Sequence, residues 1–120
     1  MKQSIEEKMN TLLEEFKGAV ATLETRKDFK SAEQVCLSSR ALAGQFGQKV
    51  AWHHEEMDLP TFVGSFLPVY EQAIASLRQA IPLIKEPIVG KYLESVQGWK
   101  ERISQMESIE KFHAALDARI

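Results

Sequence analysis

Residues 88–116, IVGKYLESVQGWKERISQMESIEKFHAAL, decide the fold. The apolar side chains fall at Ile88, Tyr92, Val96, Trp99, Ile103, Met106, Ile109 and Leu116, and His113 fills the one gap. Steps of three and four residues place them all on one face of a helix. A helix of nearly thirty residues is roughly 45 Å long at 1.5 Å per residue. No single short element covers such a ridge, so long neighbouring helices must bury it.

Three more stretches supply those neighbours. Ser4 with Glu7 forms a capping-box pattern at the start of the first helix. Ile5, Met9, Leu12, Phe16, Ala19, Val20 and Leu23 then share one face, and the helix is expected to stop near Arg26. Ser31 is the expected cap of the second helix, whose inner face carries Val35, Leu42, Phe46, Val50, His53 and Met57. The middle of that helix is small, with Ser38, Ser39, Ala41, Ala43, Gly44 and Gly47. Each helical glycine costs about 1 kcal/mol relative to alanine. Either a neighbour approaches closely there, or the helix kinks near Gly44–Gly47.

Residues 59–68 are apolar but contain Pro60, Gly64 and Pro68. They read as an irregular crossover at the end of the bundle, with the third helix starting near Pro68. Phe66, Val69, Tyr70, Ala73, Ile74, Leu77 and Ile81 form its buried side. Pro82 and Pro87 bracket the last connection, and Pro87 suits the first turn of the fourth helix. Short connections between consecutive helices favour antiparallel neighbours. The expected fold is all-α, a single domain over 1–120: an antiparallel up-down-up-down four-helix bundle whose second and fourth helices are longest.

Composition narrows the function. The 120 residues are 44% apolar and 27% charged, with a formal net charge of −2. That is ordinary for one domain with a continuous core. The charges are mixed and form no concentrated basic face, which argues against nucleic acid as a partner. The start of the chain, MKQSIEEK, has no apolar run like a secretion signal. Leu59 to Tyr70 is the longest charge-free stretch and is too short to span a bilayer. A single cysteine, Cys36, fits a reducing compartment. These features point to a cytoplasmic protein with no membrane partner.

The chemistry-bearing residues are sparse. Trp52-His53-His54-Glu55-Glu56 looks like metal chemistry, but adjacent helical residues diverge by about 100° and do not aim at one ion. Glu110 and His113 have the Glu-x-x-His spacing of di-iron bundles, in one copy where such sites use two. If the second and fourth helices run parallel, His53, His113 and Glu110 gather near one end of the core. His54 is followed by acids that repel a phosphoryl group. Cys36 lies within a helix near the core stripe, with no base beside it. Neither a phosphate loop nor a nucleophile elbow is present, and no cofactor is implied.

The surface is richer. Trp52 projects about 100° from the centre of the core stripe, by 3.6-residue geometry. Leu37 and Ala41 share its flank, with Gln45 and Gln48 between. Phe62, Val63 and Phe66 in the crossover, and Phe112 off the last stripe, add apolar candidates. The leading expectation is a non-catalytic protein–protein interaction module of the regulator, adaptor, inhibitor or chaperone kind. It would bind another protein or itself through Trp52, Phe62, Val63, Phe66 and Phe112. The alternative is a metal or small-ligand site in the core built on His53, His113 and Glu110.

Overall fold

A computed structural model describes residues 4–53 and 58–119 of the chain, with side chains placed for 4–51 and 58–106. Four helices follow one another: α1 (Ile5–Arg26), α2 (Phe29–His53), α3 (Leu59–Ala80) and α4 (Ile88–Arg119). No strand occurs among the described residues. At 25 and 32 residues, α2 and α4 are the longest, as the apolar periodicity implies.

Each helix start has a local chemical cause. The Ser4 hydroxyl accepts the Glu7 amide at 3.1 Å and opens α1. Lys27 closes α1 in the left-handed region at φ 51°, its N–H donating to the Leu23 carbonyl at 2.8 Å. Asp28, not Ser31, caps α2. Its Oδ1 accepts the Ser31 amide at 2.9 Å and the Ser31 hydroxyl at 2.6 Å. A carboxylate takes the capping role as readily as a hydroxyl, so the helix begins earlier than its serine suggests. The same device opens α3, where Asp58 accepts from the Thr61 amide at 3.3 Å and the Thr61 hydroxyl at 2.7 Å. At α4, Pro87 lies just ahead of the helix and its carbonyl accepts the Gly90 amide at 3.2 Å.

The expected crossover at 59–68 is corrected by the structure. These residues are helical, and α3 runs unbroken from Leu59 through Pro68 to Ala80. Pro60 stands in the first turn, where no intrahelical amide bond is lost. Pro68 removes the amide that would reach Gly64 and pushes on that carbonyl. Both Pro68 and Gly64 face outward, so water can serve the orphaned oxygen. The inner face of the same segment buries Leu59, Val63 and Phe66, and that burial outweighs one missing bond.

Side-chain partners give the directions. Phe16 packs on Tyr70, while Glu24, further along α1, meets Gln72 and Ser76, so α1 and α3 run parallel. Tyr92 meets Phe29 and Glu33, and Met106 comes against Gly47, so α2 and α4 also run parallel. Phe46 against Phe62 and Phe66, with Tyr70 reaching Ser39, makes α2 and α3 antiparallel. Direction thus alternates along the chain as expected. The layout is two hairpins, α1–α2 and α3–α4, laid side by side with α1 on α3 and α2 on α4. α2 and α3, consecutive in the chain, are not neighbours but lie across the diagonal of the bundle.

The core runs through the middle of all four helices. Phe16, Phe46, Phe66 and Tyr70 are its largest wholly buried side chains, with Met9, Leu23, Leu42, Leu59, Leu77 and Ile103 around them. Phe16 meets Tyr70 edge-on at 4.7 Å between ring centroids, and Phe46 meets Phe66 likewise at 5.1 Å. Such edge contacts add about 0.5–1.5 kcal/mol each beyond the area they bury. The Tyr70 hydroxyl donates to the Ser39 carbonyl at 2.6 Å, which satisfies it far from water.

Candidate interaction surface

The sequence-derived contact residues separate into three groups. Val63 is 2% exposed and Phe66 is fully buried. Their expected role at a partner surface is therefore withdrawn: as part of α3 rather than a crossover, they hold the fold together. Phe62 is half-buried, its ring tilted against Phe46 and Phe66 at centroid distances of 6.0 and 5.8 Å. The side chains of Trp52, His53, Glu110, Phe112 and His113 lie outside the described residues. Trp99 is half-buried against the core, with the Arg102 guanidinium 5.0 Å above its ring.

The small middle of α2 faces two ways. A Cβ added at Gly47 would touch the Met106 Cε at 3.4 Å, so α4 approaches there. Gly44 has nothing near its missing Cβ. It opens instead onto a groove between α1 and α2. Lys8 and Leu12 line this groove from α1; Leu37, Arg40, Ala41, Gly44 and Gln45 line it from α2. Leu37 is 49% exposed, one of three large apolar side chains left in solvent among the described residues. The other two, Leu83 and Ile88, sit at the α3–α4 turn.

Helical geometry explains the exposure. Leu37, Ala41 and Gly44 sit on the side of α2 away from Val35, Leu42 and Phe46. Antiparallel α1 brings only the half-buried Leu12 and the Lys8 stem alongside. Small residues keep this side low, with Ala41 and Gly44 exposed and open space beside Gly44. Leu37 and Ala41 were legible from their place on the Trp52 flank. Leu12, counted with the inner stripe of α1, and the rim cations Lys8 and Arg40 were not. Their role depends on how α1 is rotated against α2, which periodicity alone does not specify.

Other charged clusters are mixed in sign or partly paired. The α3–α4 groove is lined by Glu71, Arg78, Lys100 and Glu101, and Lys100 pairs with Glu71 at 3.5 Å. Glu24 is held by Gln72 and Ser76. Burial pushes the Cys36 thiol up, with Glu33 adding to the effect and Arg40 opposing it. A thiol that holds its proton is a weak nucleophile. Burial likewise raises the Tyr70 phenol, against the opposing effect of the nearby Ala43 amide. Tyr92 is raised by desolvation and by Glu33, whose carboxylate accepts its hydroxyl at 3.4 Å. No helix among the described residues is long and apolar enough to cross a membrane.

Compared with protein-family models, with curated proteins and with solved structures, the chain matches none. The class the coordinates define is an all-α bundle of two packed hairpins with an open apolar groove on the first.

Proposed function

We propose that this protein is a small, non-catalytic interaction module that holds a partner protein in the α1–α2 groove. The observation that carries this reading is Leu37: half its surface lies in water beside Leu12, over a floor of Ala41 and Gly44. Burying such a patch gains about 25 cal/mol per Å² of apolar area. A low floor admits the ridge of a helix, the usual way an amphipathic segment docks in a groove. Trp52 joins the proposed contact on helical spacing alone, since it shares the flank of Leu37 and Ala41. Regulators, adaptors, inhibitors and chaperones all work in this manner. Cys36 fits residence in the reducing cytoplasm.

Site-specific photo-crosslinking in the native host tests the reading. A benzophenone side chain at position 41 is expected to trap a discrete protein adduct, and one at exposed position 94 on α4 is not. Equal labelling at both positions, or none at 41, would sink it.

One observation favours a second reading. Tyr92 lies against Glu33 and Met106 against Gly47, both at an offset of 59 residues. Continued along the parallel helices, this register brings position 53 of α2 level with position 112 of α4. On that register His53 and His113 would stand at neighbouring levels, as a core metal or small-ligand site requires. Elemental analysis of untagged protein, with and without added iron, manganese or zinc, decides it. Protein that stays metal-free, with an unchanged melting temperature, ends this alternative.

A further inference from the structure

We infer that the occupant of the α1–α2 groove is an acidic amphipathic helix of a different protein, its carboxylates flanking an apolar ridge. This rests on the groove reading above and adds the chemistry of the partner. The groove lining contains two charged side chains, Lys8 and Arg40, and both are cationic. Neither is ion-paired among the described residues, although the chain as a whole is acidic at −2. No carboxylate lines the groove. The nearest by helical spacing are the exposed Glu15, one turn along α1 from Leu12, and Glu33, one turn before Leu37 on α2. Lys8 and Arg40 come from opposite helices and flank the apolar floor. A helix lying along Leu12, Leu37, Ala41 and Gly44 has both cations within reach of its sides. Carboxylates there gain attraction, and lysines there meet like charge.

The same charges argue against a second copy of this chain. A two-fold dimer through this groove sets the same patch against itself. The charged groups in the paired linings would then be Lys8 and Arg40 from both copies, with no carboxylate in the lining to compensate.

The test is selection from a displayed library of helices with a fixed leucine ridge and flanking positions randomised among Glu, Gln and Lys. The full-length protein is the target. Helices enriched on the parent are expected to carry Glu at the flanks. They should bind about tenfold more tightly than their Lys counterparts, the product of two exposed ion pairs. On a K8E/R40E target the preference inverts to Lys, and a K8Q/R40Q target shows none. Leu37→Asp abolishes binding of both pools, and circular dichroism confirms that every target stays helical. An enriched pool without acidic bias, or a bias that survives K8E/R40E, overturns the inference. If Leu37→Asp still abolishes binding in that case, the groove reading stands without it. Binders indifferent to Leu37→Asp defeat both. A dimer in light scattering that Leu37→Asp dissolves replaces the foreign helix with a second copy.

Discussion

The Tyr70 hydroxyl sits among Phe16 and the inner faces of α1, α2 and α3, with the Ser39 carbonyl as its partner at 2.6 Å. Removing the oxygen in Tyr70→Phe deletes one buried hydrogen bond but keeps the ring. The expected loss is about 1 kcal/mol in urea unfolding. The pH dependence has a definite sign. Burial raises this phenol above its ordinary value near 10, so the unfolded chain releases the proton first. The contribution is complete below about pH 10 and fades as pH rises beyond it. Urea titrations across the alkaline range are expected to show this decline in the parent and a weaker one in Tyr70→Phe. Equal declines would place the phenol in water. Asp28 works in the opposite direction. Its bonds from Ser31 hold the carboxyl below the ordinary carboxylate range, with the nearby Arg26 charge adding to the effect. Its stabilisation is present above the unfolded value near 3.9 and is lost as pH falls through the lower folded value. Asp28→Asn keeps a capping oxygen without a titrating group, so its acid unfolding should lack the share contributed by Asp28.

At the level of elements, α3 shows where local rules yield to packing. Two prolines and a glycine argue against a helix over 59–68, yet the inward positions Leu59, Val63 and Phe66 keep helical spacing into Val69, Tyr70 and Ala73. The periodicity was present in the sequence; the outward placement of Pro68 over Gly64, which makes the proline tolerable, was not. An interior proline costs about 3 kcal/mol in a helix relative to alanine. Part of that returns because proline also restricts the unfolded chain. Pro68→Ala is therefore expected to stabilise the protein by about 1–2 kcal/mol, read as a higher urea midpoint with an unchanged slope. A destabilised Pro68→Ala protein would mean the proline shapes α3 rather than burdening it. The ambiguity in α2 resolves by the same route. Close approach at Gly47, by Met106, and open space at Gly44 lie one turn apart. Replacement by alanine gains about 1 kcal/mol at Gly44 from helix propensity, and less at Gly47, where the methyl must share space with the Met106 side chain. The four-rod count, most inner positions of the described residues and the lengths of α2 and α4 were legible because burial imposes a period; Ile88, counted with the inner stripe of α4, is instead exposed at the helix start, and Val89 beside it is buried. The side-by-side pairing of α2 with α4 was not, since it depends on which ridges interlock across the core.

For the molecule as a whole, the question is which apolar side chains build the fold and which remain for a partner. From sequence, Phe66 in the apolar 59–68 stretch and Leu37 on the Trp52 flank are both open to a partner. Packing separates them. Phe66 contacts Phe46 and Phe62 and is wholly enclosed, whereas Leu37 stands half in water over the α1–α2 groove. Truncating an enclosed phenylalanine removes its transfer energy and leaves a cavity, so Phe66→Ala is expected to cost about 3–5 kcal/mol. Leu37→Asp gives up a half-buried side chain and some helix propensity, so its unfolding free energy should fall by about 1–2 kcal/mol. The two variants therefore dissociate stability from recognition. Loss of the position-41 photo-crosslink in Leu37→Asp, with no more than that modest loss of stability, assigns that leucine to the outside of the molecule. A Leu37→Asp protein that unfolds as easily as Phe66→Ala would instead mean that α1 and α2 close over the groove, leaving no docking floor.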